Sequence, residues 1–272
     1  MKTAIFGTIV LISLITKTQA QYWIPCGGRA SAMSNAAVAI ADAFSVNNNQ
    51  AGMVMIKQPT AALFFENPYF LKELSTQSFG INLPTAFGVF GSVVNYCGNS
   101  NYNTIKAGLA YARMFGNSFS AGLQLDLLNT HLAESYGSKI SGTIEAGIQI
   151  KVNNKLSFGA HVFNPVQVHL AKYMNERIPT IMRVGWVYIY SQALLLAMEV
   201  KKNTGLPPEF LSGIEYKFFG KGFARLGVAT SPFRYSFGTG FLFHHFSLDI
   251  SSSYHESLGF SPQASIAYAF GK

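Results

Sequence analysis

Six histidines are the residues most suited to acid–base chemistry here, and their neighbours decide whether they perform it. Ser253 stands two residues before His255, and His161 lies in an alternating segment, so both invite a serine–histidine hydrolase reading. Neither is accompanied by a G-x-S-x-G elbow or by a carboxylate spaced to orient the imidazole. His244 and His245 are adjacent in a short connection, where they point in different directions and have no further metal ligand nearby. No glycine-rich loop joins a strand to a helix, so nucleotide chemistry has no support. Cys26 and Cys97 are the two cysteines, and their spacing leaves open whether they pair. A non-enzymatic protein without cofactor or metal is the expectation.

The elements that would position any function are legible in the composition. Hydrophobic residues make up 49% of the 272 positions and charged residues only 12%, against about 25% charged in an average soluble domain. Residues 1–20 read as an export leader: Lys2 is the positive start, Ala4 to Ile15 the apolar run, and Thr18-Gln19-Ala20 the small-residue cleavage site before Gln21. Beyond it no stretch reaches the ~18 apolar positions of a transmembrane helix. Loss of Lys2 and Lys17 with the leader lowers the formal charge from +8 to about +6. The basic residues are scattered and not in a stripe, which argues against nucleic acid as a partner.

From about Ala61 onward the side chains alternate. Ile140, Gly142, Ile144, Ala146, Ile148 and Ile150 share one face, and Ser141, Thr143, Glu145, Gly147 and Gln149 the other. The same period predicts strands over 61–66, 74–83, 86–96, 103–114, 118–129, 139–152, 155–163, 180–190, 192–201, 209–219, 223–230, 235–243, 246–255 and 262–270. Short connections such as Pro84-Thr85 and Gly220-Lys221-Gly222 alternate with longer ones near 67–73, 97–102, 130–138, 164–179, 202–208, 231–234 and 256–261. Aromatic residues, among them Phe87, Phe115, Tyr190, Phe223, Phe243 and Phe270, gather beside the short turns as an interfacial girdle would. A soluble β-sandwich with an aromatic core is the alternative, and it has no need of alternating turn lengths. The expected fold is all-β, a 14-stranded antiparallel transmembrane β-barrel over 57–272.

Residues 21–56 break this pattern. Ser34 to Phe44 is Ala-rich with helical propensity, and Asn47-Asn48-Asn49 interrupts it. The inward face of the strands carries Gly122, Gly147, Gly159, Gly213 and Gly227 beside mixed charges such as Lys106, Asp126, Glu145, Arg183, Glu199, Glu215, Arg225 and Asp249. Small inward residues leave room for a filler. The segment 21–56 is therefore expected as a plug in the lumen, with Arg29 and Asp42 neutralised by wall charges. Val38, Ile40, Phe44, Val46 and Met53 are available as apolar plug walls.

Gly27-Gly28-Arg29-Ala30 through Met33, Ala36 to Asp42, and Asn49-Gln50-Ala51-Gly52-Met53 resemble the plug segment of the FadL-like superfamily of outer-membrane barrels, in its PorV/PorQ-like branch. Gln50 stands where the family motif has proline. Phe163-Asn164-Pro165 with Ile178-Pro179-Thr180, and Ser253-Tyr254-His255 with Leu258-Gly259-Phe260, are similar to two hairpins of that branch. The resemblance implies a multi-pass protein of the bacterial outer membrane, in contact with its lipid and plugged by Gly28, Arg29, Met33, Asp42, Asn49, Ala51 and Gly52. FadL-like members pass hydrophobic compounds, whereas PorV-like members serve type IX secretion. The charged, glycine-rich lumen leans toward the second role, an accessory component docking an envelope or secretion protein; a channel for small hydrophobic ligands is the alternative. Asn164, Pro165, Val166, Val168, Leu170, Tyr173 and Met174, in the longest connection, are the expected partner contact.

Overall fold

Alternation along the chain becomes a closed wall. The computed structural model describes residues 25–133, 137–168 and 178–271, so the leader, the start at Gln21, and Leu170, Tyr173 and Met174 lie outside the described residues. The strands are β1 Thr60–Glu66, β2 Thr76–Thr85, β3 Gly88–Gly98, β4 Tyr102–Phe115, β5 Phe119–Leu132, β6 Gly137–Lys151, β7 Leu156–Phe163, β8 Ile181–Ile189, β9 Leu194–Asn203, β10 Glu209–Phe218, β11 Gly222–Thr230, β12 Phe233–Phe243, β13 Phe246–His255 and β14 Gly259–Ala269. Each pairs antiparallel with its neighbours, and β1 closes on β14 in the register Thr60↔Ala269 to Glu66↔Gln263. Closure follows from the solvent: an open strand edge in hydrocarbon leaves backbone N–H and C=O groups without partners.

The two faces divide as the alternation requires. On β5, Leu125 is 67% exposed while Gln124 and Asp126 are 1% and 3% exposed. The exposed face is the apolar one, so its proper surroundings are lipid, where the polar face would be costly. Phe87, Phe115, Tyr190, Phe243, Phe246 and Phe270 ring the short-turn end, and a second ring of Tyr102, Phe233, Tyr235 and Phe260 marks the other end. Phe223 departs from the girdle reading: it shares the inward register of Arg225, whose guanidinium lies 5.1 Å from its ring centre.

Several boundaries differ from the alternation. β2 begins at Thr76, not at 74, because Pro68–Phe70 and Lys72–Leu74 form 3-10 turns. β14 begins at Gly259, ahead of Pro262; proline has no N–H to give, and its carbonyl accepts from Asn67 N–H at 3.0 Å. The connection Ser231-Pro232 is as short as the turns of the opposite end, so loop lengths alternate less regularly than the sequence implies. The wall also steps down once. β7 pairs with β6 only from Glu145↔Phe163 to Lys151↔Ser157, and the remaining edge of β6 receives the Asn164 N–H at the Ile144 carbonyl, 3.0 Å away. Leu128, Phe163, Ile178 and Ile181 form an apolar cluster at this step.

The main departure from the sequence reading is the Ala-rich stretch. Within residues 25–56 helix is confined to α1 Gly28–Ala32 and α2 Ser45–Asn48, with a 3-10 turn at Gln50–Met55; residues 34–44 run as turns and bends. Ser34 and Asn35 both have positive φ, which stops α1. Beyond them the wall replaces the intrahelical acceptors: Glu199 Oε2 accepts the N–H of Ala37 at 3.0 Å and of Val38 at 2.8 Å. Local propensity is worth tenths of a kcal/mol per residue, at most about 1, and yields to such contacts.

Candidate functional site in the barrel lumen

Residues 25–56 meet inward-facing residues around most of the wall, and the contacts fall into three polar knots. At the first, Gly28 N–H donates to Ser265 Oγ at 2.9 Å; a Cβ on Gly28 would stand 2.8 Å from that of Asp249, so only glycine passes here. Arg29 then grips Glu215 through two bonds of 2.7 and 2.8 Å, and Arg225 bridges Glu215 and Asp249 at 2.6 Å each. Asp42 lies 4.0 Å from Arg29 and accepts the Phe44 N–H at 2.9 Å, which completes a charge cluster of both signs.

The second knot is Arg183 with Glu199, both buried, joined at 2.5 and 2.9 Å. Arg183 also donates to the carbonyls of Asn48 at 2.8 Å and Asn35 at 3.2 Å. With the two N–H groups that Glu199 accepts, this ion pair holds both limbs of the inner segment.

The third knot surrounds Glu145, which is fully buried. Lys106 Nζ lies 2.6 Å and His161 Nε2 2.8 Å from its carboxylate, and Gln50 Nε2 donates to it at 2.9 Å. Gln50, standing where the resembling motif has proline, thus supplies a side-chain tie that proline lacks. Asn49 folds its own turn by accepting from Ala51 N–H at 3.1 Å, and donates to the carbonyls of Val38 and Ile148 at 2.6 and 3.2 Å. Ala51 is fully buried, its carbonyl accepting from Ser120 Oγ at 3.0 Å, and a Cβ on Gly52 would press Ser45 Oγ at 2.9 Å.

Apolar seams run between the knots. Met33, Ala36, Ala39 and Ile40 pack on Val187, Ala197, Leu211 and Ala229; elsewhere Val46, Met53 and Val54 pack on Val89, Val93, Ala110 and Ala112. Phe44 meets Ala62, Phe64 and Cys26. The lumen face is therefore not charges and glycines alone, because strands β3, β4, β8, β9, β10 and β11 also turn valine, leucine and alanine inward. Gly213 and Gly227 face Met33 directly, and a side chain at either position would occupy its space.

Above this packing, at the long-loop end, lies a cavity of about 370 Å3. Its lining includes Ser31 and Asn35 of the inner segment and Glu66, Tyr69, Leu74 and Arg234 of the wall and its rim. Sequence reasoning singled out neither Glu66 nor Arg234. Their place at the outer ends of β1 and β12, in the inward register, was the available signal.

The other candidate residues are dispersed. Asn164, expected at a partner contact, is fully buried as a staple: its Oδ1 accepts from Thr143 Oγ1 at 2.8 Å, and its Nδ2 donates to the Ile178 carbonyl at 2.7 Å. Pro165 and Val166 are exposed, and Val168 packs on the apolar cluster at the wall step. His255 accepts from Ser257 N–H at 3.2 Å and faces the Tyr69 ring, whereas Ser253 Oγ accepts from Gln263 at 3.3 Å, so the two are not coupled to each other. Cys26 and Cys97 do not bridge to each other, and Cys26 Sγ lies 3.8 Å from Asn95 Oδ1. Among the described residues no group of three or more His, Cys, Asp or Glu could hold a metal ion.

No protein-family model matches the sequence, and no curated protein matches it. Solved structures do match the fold. The Ralstonia pickettii toluene transporter TbuX superposes with a TM-score of 0.70 at 12% identity, over 90% of this chain and 98% of that one. A Pseudomonas aeruginosa FadL homologue gives 0.69 at 13% identity, over 93% of this chain and 100% of that one. The CymD monoaromatic hydrocarbon channel gives 0.68 at 13% identity, over 91% and 98%. These likenesses overturn the expectation of an accessory barrel docking a secretion component, since the neighbours include a toluene transporter and a monoaromatic hydrocarbon channel. The physical reason the lean failed is the apolar packing beside the inner segment, which alternation alone did not assign to the lumen. The chain has the closed fourteen-strand fold of FadL-type barrels.

Proposed function

We propose that the protein is a plugged barrel of the bacterial outer membrane that passes small hydrophobic compounds across it, without enzymatic chemistry. The observation that supports this reading best is a fold shared almost end to end with toluene and monoaromatic hydrocarbon channels. The apolar seams between the inner segment and the wall agree with it, because a largely apolar solute is favoured along surfaces that do not strip water from charges. The segment 21–56 acts as the plug, with Gly28, Arg29, Met33, Asp42, Asn49, Ala51 and Gly52 as its seat. The likeness to the PorV/PorQ-like branch lies in this segment and in the hairpins at Phe163-Asn164-Pro165 and Ser253-Tyr254-His255. The buried cluster of Leu128, Phe163, Ile178 and Ile181 closes the wall where β6 loses its strand partner, and a sideways exit for an apolar solute would lie at this uncharged seam.

Uptake decides the matter. Expressed in a host whose own channels for hydrophobic compounds have been deleted, the folded protein should raise the initial rate of labelled toluene uptake. A correctly inserted barrel that leaves uptake at the level of the empty host overturns the proposal.

A further inference from the structure

We infer that the outer cavity binds a neutral hydroxylated aromatic compound of the phenol class, an inference that rests on the channel reading and narrows its solute. The volume of about 370 Å3 lies at the small end of the roughly 300–1,000 Å3 of ligand pockets, which suits a single ring. Tyr69 and Leu74 give the ring an aromatic and an aliphatic surface.

The polar lining selects the substituent. Glu66 and Arg234 carry opposite charges, so the cavity favours neither an anion nor a cation. Among the described residues the one hydrogen bond of the Arg234 side chain is a long contact of 3.5 Å to Glu209, which is already engaged by Lys201 at 3.1 Å, so its guanidinium retains donor capacity. On the acceptor side, Glu66 is reached by Gln263 at 2.9 Å, and Asn35 Oδ1 is buried without a hydrogen-bond partner among the described residues. A hydroxyl is the smallest neutral group that both donates and accepts, and it can take a bond from Arg234 while giving one to Glu66, whose Oε1 alone is engaged by Gln263. A carboxylate would accept from Arg234 but face the Glu66 charge. A bare hydrocarbon would displace water from these groups and return no hydrogen bond.

The test uses the purified full-length barrel in detergent, with p-cresol, toluene and p-toluate as probes in equilibrium titrations. p-Cresol should bind at least tenfold more tightly than either of the other two. Arg234→Met and Glu66→Gln should each weaken p-cresol binding tenfold or more, with the heat-modifiable gel shift showing that the barrel is intact. If Arg234→Met does not fold, Glu66→Gln and the wild-type probe series still decide. Equal binding of p-cresol and toluene, tightest binding of p-toluate, or variants indistinguishable from wild type would each overturn the inference. Proteoliposome flux separates this inference from the reading beneath it: toluene flux without p-cresol preference sinks the phenol site alone, whereas selective p-cresol binding without flux of any probe sinks the channel and leaves the site.

Discussion

Glu199→Gln is the substitution on which the seating of the inner segment can be judged. The replacement is nearly isosteric, so it removes charge without opening a cavity. In the native protein the carboxylate answers Arg183 at 2.5 and 2.9 Å and accepts two backbone N–H groups, from Ala37 and Val38. Arg183 is 1% exposed, so in the variant its charge loses its counter-ion away from water. Breaking a buried pair by neutralising one partner costs about 3–5 kcal/mol. The carbonyls of Asn48 and Asn35 still accept from Arg183 and an amide oxygen in the place of Oε2 still accepts the N–H groups of Ala37 and Val38, so the low end, about 3 kcal/mol, is the expected value. The penalty falls on the state in which residues 25–56 are docked, because an undocked segment admits water to Arg183. Each 1.4 kcal/mol is tenfold, so the undocked population should rise by about a hundredfold. Single-channel conductance in planar bilayers reads this directly as more frequent open events, and limited proteolysis reads it as faster cleavage within 25–56. A variant with wild-type conductance and cleavage rate, in a barrel of unchanged heat modifiability, would refute the reasoning that the Arg183–Glu199 pair seats the segment.

Other outcomes follow from the same geometry. Leu125→Arg, at the middle of β5 on the exposed face, should lower the stability of the inserted barrel by about 2–4 kcal/mol, and Phe115→Arg in the girdle by about 0–1; equal penalties in urea unfolding from bilayers would remove the membrane assignment of that face. Gly227→Leu should drive the inner segment off its seat, since a Cβ there meets the backbone of Met33 and Ser34, and overfilling typically costs about 1–3 kcal/mol; unchanged protease resistance of residues 25–56 would contradict it. With the native cysteines replaced, a cysteine at Ser100 should be labelled from outside intact cells and one at Lys221 should not, and the reverse pattern would invert the assigned orientation.

The wall was readable because its cause is local. A strand between lipid and a polar lumen must alternate residue by residue, so Leu123, Leu125 and Leu127 against Gln124 and Asp126 already state strand, face and surroundings. Fourteen such segments and their closure follow from that alternation and from the need to satisfy every edge in hydrocarbon. Ends were read less well where turn chemistry intervened, as at Pro68–Phe70, or where a strand ran on through proline, as at Pro262. The interior was another matter. An Ala-rich run is helical by propensity, and nothing adjacent in sequence reveals that Glu199, some 160 residues away, will take the N–H groups of Ala37 and Val38. The glycines of the lumen signalled room, but which segment fills it, and that Gln50 reaches Glu145 across 95 positions, depends on contacts distant in the chain. Glu66, Asn35 and Arg234 likewise share one cavity only because β1, the inner segment and β12 are brought together by closure of the barrel. Periodicity dictates each strand's two faces; only the closed tertiary structure decides which distant side chains meet inside.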